Sequence, residues 1–87
     1  MRYDVLKNVK GGYNKTDVLT KLDALNALLM MAEQGIDSSK ILPELDRVRQ
    51  LPLRQEKGGF FGKIGFSAED TDAYIADLEK SITKALK

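Results

Sequence analysis

Six acidic side chains, Asp17, Asp23, Asp70, Asp72, Asp77 and Glu79, are the groups of this chain most able to do chemistry. They could serve as general acids or bases, or as oxygen ligands for Mg²⁺ or Ca²⁺. General acid–base work needs a group of tuned pKa held in a cleft, and histidine is its commonest agent. The 87 residues contain no histidine and no cysteine. That removes the usual base, the thiolate nucleophile, the nitrogen and sulfur metal ligands and any disulfide framework. No loop carries carboxylates at cation-ligand spacing. The glycines from Gly58-Gly59 to Gly65 are not followed by the Gly-Lys-Ser/Thr of a phosphate loop. The acids read as helix caps and solvated helix faces. No catalytic, cofactor-binding or metal residue is expected, no cofactor is implied, and an enzyme is the least favoured class.

Composition points the same way. Lys and Arg number 14 against 13 Asp and Glu, a net charge of +1, which offers no clustered basic face for nucleic acid. The 43% of apolar residues suffices for one small core, so residues 1–87 are expected to form a single domain. The longest apolar stretch, Ala27 to Ala32, is far short of the roughly 20 residues needed to span a bilayer. The first residues lack a signal-peptide core. The expected setting is the cytoplasm, with at most peripheral association with a membrane.

Two of these acids, Asp17 and Asp70, belong to a motif written twice, 53 residues apart. One copy runs Gly12-Tyr13-Asn14-Lys15-Thr16-Asp17-Val18, the other Gly65-Phe66-Ser67-Ala68-Glu69-Asp70-Thr71. Each has a glycine, an aromatic, a helix-capping side chain and an acid three residues after the cap, the order of a capping box. Apolar positions follow at a matched 4-3-4-3 spacing: Val18, Leu22, Leu25, Leu29 and Ala32, then Thr71, Ile75, Leu78, Ile82 and Ala85. Between 10–34 and 63–87 five of 25 positions are identical. The chain therefore reads as an internal repeat, 10–34 and 63–87, joined by a connector over 35–62.

These patterns predict an all-α, mainly helical fold. The first long helix starts at the Asn14 cap, runs from Lys15 to about Gln34 without a breaker, and closes at Gly35 as a left-handed C-cap. Leu19, Leu28 and Met31 add a second apolar stripe to it, so it touches more than one partner. The last helix runs from Ala68 to near the end, with Lys80, Lys84 and Lys87 suited to its C-terminal dipole. Between them, Leu42 to Val48 reads as a short middle helix, with Pro43 at or near its first turn, Leu45 and Val48 on its apolar face and Pro52 ending it. Residues 1–11 read as a short strand or an extended arm. The 29 residues from 36 to 64 are ample to return along a helix of about 30 Å, so the long helices can pair in parallel within one chain. A 4-3 seam is coiled-coil-like geometry, and Val18, Leu22, Leu25, Leu29, Ile75, Leu78 and Ile82 form the expected helix-pairing interface. The expected turn residues are Gly12, Tyr13, Asn14 and Asp17, with Gly65, Phe66, Ser67 and Asp70. In Gly58-Gly59-Phe60-Phe61-Gly62-Lys63, the residues Phe60, Phe61 and Lys63 have the chemistry of a loop for an anionic membrane surface. Folding of the two phenylalanines into the core is the plainer alternative.

Gly12 to Leu22 resembles the N-terminal domain of the DivIVA family of bacterial cell-division and polarity proteins. Leu6, Lys10, Gly12, Tyr13, Asn14, Asp17, Val18, Leu22 and Asp23 fall on that family's pattern. Lys63, Gly65, Phe66, Ser67, Asp70, Thr71 and Ile75 match it more loosely. The resemblance implies a scaffold: a parallel coiled-coil dimer whose turn region touches the membrane and which recruits division partners. The expected function is thus a non-catalytic interaction or scaffold module acting by helix pairing, through self-association or as an intrachain pseudo-dimer. Two other classes are a peripheral membrane binder using Phe60 and Phe61, and a small helical adaptor holding a partner helix beside Leu19, Leu28 and Met31.

Overall fold

The computed structural model describes residues 6–57 and 62–86. The fold is mainly helical, in the order β1 (Asn8–Lys10), α1 (Lys15–Glu33), α2 (Ser38–Arg49), β2 (Ile64–Phe66) and α3 (Ala68–Ala85). Phe60 and Phe61, the expected membrane loop, lie outside the described residues.

Both long helices begin as the capping pattern requires. The Asn14 side chain accepts the Asp17 N–H, and the Ser67 hydroxyl accepts the Asp70 N–H. Each satisfies one of the donors that a helix start leaves unpaired. At the far end of α1, Gly35 takes the left-handed conformation, φ 85°. Its N–H donates to the Ala32 carbonyl and that of Ile36 to the Met31 carbonyl, a Schellman close that glycine permits without a Cβ penalty.

The middle helix is longer than its sequence suggests. Asp37 caps it, accepting the Ser39 N–H at 2.8 Å, and this hydrogen bond holds the Asp37 carboxyl below its usual pKa. The start at Ser38 puts Pro43 in the second turn, where the ring lacks the N–H that would bond to the Ser39 carbonyl. Ile41, Leu45 and Val48, at helical spacing, are buried. Their removal from water outweighs one missing hydrogen bond, since burying one such side chain stabilises by about 1.5–3 kcal/mol.

The strands pair antiparallel, with Asn8 opposite Phe66, Val9 opposite Gly65 and Lys10 opposite Ile64. A short strand in the N-terminal arm was one of the sequence readings; its partner in the second glycine-aromatic motif was not. Because α1 and α3 both leave this strand pair and pack against each other, they run in the same direction. The body is correspondingly elongated, 49 × 21 × 15 Å. Its core joins Val18, Leu22, Leu25, Leu28 and Ala32 of α1 to Ile41, Leu45 and Val48 of α2 and to Leu78 and Ile82 of α3, with Leu6 at the strand end.

Candidate functional site

The two motif copies are bonded to each other. The Tyr13 N–H donates to the Phe66 carbonyl at 2.8 Å and the Phe66 N–H to the Tyr13 carbonyl at 2.9 Å. At this crossing the glycines matter for space. A Cβ on Gly12 would strike the Phe66 carbonyl, with the Phe66 carbon at 2.8 Å. A Cβ on Gly65 would strike the Tyr13 carbonyl, with the Gly12 carbonyl carbon at 2.7 Å. Both obstacles are backbone, which cannot step aside as a side-chain tip can. Each glycine thus admits the other copy's aromatic residue.

Each capped turn then grips an incoming extended residue by both of its backbone groups. In the second copy the Ser67 N–H donates to the Lys7 carbonyl at 2.7 Å, while Asp70 accepts the Lys7 N–H at 3.1 Å. In the first copy the Asn14 N–H donates to the Arg54 carbonyl at 2.7 Å, while Asp17 accepts the Arg54 N–H at 3.1 Å. Asp17 also takes the Arg54 guanidinium in a fork, at 2.9 and 3.0 Å. That hydrogen bonding holds the Asp17 carboxyl below the usual carboxylate range. The repeated acid therefore does two jobs, favouring the helix N-terminus and clamping the backbone of an incoming segment.

The two clamps are equivalent through a local two-fold axis, apart from an insertion. Lys7 lies five residues before Gly12, whereas Arg54 lies eleven before Gly65, a difference of six. Residue pairs mirror one another on that basis. The Asn8–Phe66 bridge corresponds to the Gln55–Tyr13 bridge, and Val9 opposite Gly65 corresponds to Glu56, whose N–H donates to the Gly12 carbonyl at 2.8 Å. The extra segment is 57–62, and its base is closed by the Lys63 N–H donating to the Lys57 carbonyl at 3.0 Å. Lys63 is exposed there.

The aromatics reach across as well. The Tyr13 hydroxyl donates to Asp72 in the second turn of α3 at 3.1 Å, and partial burial together with this carboxylate raises its pKa. Lys15 at the start of α1 stands over the Phe66 ring, 5.3 Å from its centroid.

Of the expected pairing residues, Val18, Leu22, Leu25, Leu78 and Ile82 are buried, and Leu29 and Ile75 are half-buried against the same core. Thr71 stands where Val18 stands in the first copy, and it is fully buried with a hydroxyl that finds no hydrogen-bond partner. A polar group buried without a partner costs about 1–3 kcal/mol. Thr71→Val keeps the shape and is expected to stabilise the chain by about 1 kcal/mol, raising Tm by about 4–8 °C. Calorimetry checks this, and an unchanged or lower Tm would mean that the hydroxyl is satisfied in solution.

The second stripe behaves differently from its expected form. Leu28 is buried and Met31 is half-buried in the core beneath α2, while Leu19 is half-buried outside that core. Lys21, which carried no signal in an otherwise polar position, is the one buried cation among the described residues. Its Nζ donates to the Arg49 and Leu51 carbonyls at 3.1 and 3.0 Å, closing the C-terminus of α2. The clue was its position one turn before Leu25 and two before Leu28. Arg49 in turn pairs with Glu79, tying α2 to α3.

The acids are thus occupied largely in structural pairs, with Asp77 exposed and Asp23 also engaged. No group of three or more His, Cys, Asp or Glu residues that could hold a metal occurs among the described residues. No described helix is long and apolar enough to cross a membrane. No family model, curated protein or solved structure matches the chain.

Proposed function

We propose that this chain is a non-catalytic interaction module, a scaffold part resembling those of DivIVA-type bacterial cell-division proteins and working in the cytoplasm. In this reading the helix pair that two chains would otherwise share is supplied by one. The observation that supports it is the reciprocal clamp, Lys7 held by Ser67 and Asp70, and Arg54 held by Asn14 and Asp17. Backbone groups gripped in this way leave neither motif copy open to the same contact from a second chain. The seam side chains Leu22, Leu25 and Ile82 are likewise fully buried inside one chain. The paired helices then act as a rigid body whose outer faces, not its seam, meet partner proteins.

Hydrogen exchange tests this. Amides of α1 and α3 should be protected together, to a degree that does not change with protein concentration. Protection that rises with concentration, or an α3 that exchanges freely while α1 is protected, would contradict the reading.

A further inference from the structure

The two-fold relation between the motif copies extends to the helices, and one half carries a helix that the other lacks. In the first half α2 lies on the flank of α1 that presents Lys21, Ala24 and Leu28 beside the seam residue Leu25. Adding 53 to each number gives Tyr74, Asp77, Ser81 and Leu78. Those four residues line a groove of about 200 Å³ on α3, and a second hollow beside it is lined by Asp70, Ala73, Tyr74 and Asp77. No described element of the chain fills the place corresponding to that of α2.

We propose that this groove receives one amphipathic, basic helix of a partner protein, laid on α3 as α2 lies on α1. The internal template fixes the shape: three apolar side chains spaced like Ile41, Leu45 and Val48, running antiparallel to its host helix. Charge fixes the sign. The lining residues of both hollows include the carboxylates Asp70 and Asp77 and no cation, so a helix flanked by Lys or Arg is favoured over an acidic one. The difference between the halves fits a reversible occupant. Where α1 offers buried Leu28 and half-buried Ala24 to a tethered helix, α3 offers Ser81 and Asp77, which stay solvated when the groove is empty. Tyr74, half-buried beside Leu78, supplies the aromatic anchor that short interfaces depend on.

The probe is a peptide of this chain's own residues 37–50 carrying Pro43→Ala, Glu44→Lys and Asp46→Lys, titrated into the ¹⁵N-labelled protein. Saturable shifts are expected at Ala73 to Ser81, weakened about tenfold by Tyr74→Ala and by Asp77→Lys. Asp77 is exposed, so its substitution leaves the core intact should Tyr74→Ala fail to fold. Absence of shifts, shifts confined to α2 and its face of α1, or affinity unchanged by Asp77→Lys would overturn the proposal. So would shifts of the Tyr74 face that grow with protein concentration alone, which would make a second copy the occupant. The proposal names a partner class for the interaction module; helices protected together in a chain that ignores the peptide would sink the groove and leave the module standing.

Discussion

Leu25→Asp is expected to leave most of the chain unfolded. Leu25 is fully buried in the seam between α1 and α3, so the substitution removes a large apolar side chain and places a carboxylate where nothing pairs with it. Leucine truncation in a core costs about 2–5 kcal/mol, and burying an unpaired polar or charged group adds to that. A domain of this length has a total stability of about 4–13 kcal/mol. Leu78→Asp is its counterpart in the second copy. It lies beside the groove on α3 and is 8% exposed, so its cost is smaller, at about 2–4 kcal/mol, but still large. Both variants should lose helical circular dichroism at lower urea than the parent chain, and both losses should be independent of protein concentration. If one leucine proved essential and the other dispensable, the two halves would not be sharing one seam.

Gly65→Ala has the second largest expected effect, and it is the more diagnostic of the two. It deletes no contact and buries no charge. Its Cβ would run into the Tyr13 carbonyl and lie 2.7 Å from the Gly12 carbonyl carbon and oxygen, so the crossing of the motifs has to open. Overpacking against rigid neighbours costs about 3 kcal/mol, and more where backbone hydrogen bonds must lengthen. For a chain of this size that lowers Tm by about 12–24 °C. Gly12→Ala meets the Phe66 carbonyl in the same way and should cost a similar amount. Gly35→Ala is a useful contrast, because a Cβ there has open space around it and only the positive φ opposes it. A Tm for Gly65→Ala within a few degrees of the parent would show that the motifs do not cross as closely as described.

What the sequence disclosed and what it hid follow the range of the interactions involved. Helix starts at Asn14 and Ser67 and the stop at Gly35 are local chemistry, set by residues within five positions of one another, and they could be read directly. The seam is periodic, so its buried members could be named. The pairing of β1 with β2 was hidden because strands of three residues carry almost no alternation. The clamp was hidden for a different reason: Lys7 and Arg54 are both gripped through their own backbone N–H and carbonyl groups, which any residue possesses, and only Arg54 adds a side-chain contact. The repeat also continues upstream of Lys63, but the six residues 57–62 shift Gln55 and Glu56 out of register with Asn8 and Val9. Lys21 escaped notice because a lysine on a helix is ordinarily solvated, and only the carbonyls at the end of α2 explain its burial.

The doubled motif thus becomes a single object, two clamps that close on each other within one chain. Molecular mass in solution, measured by light scattering or sedimentation equilibrium over a wide concentration range, tests that most directly. A constant 9.7 kDa, with both long helices formed, is the predicted result. A species of twice that mass that loses its helices on dilution would contradict it, because the two halves would then be meeting between chains.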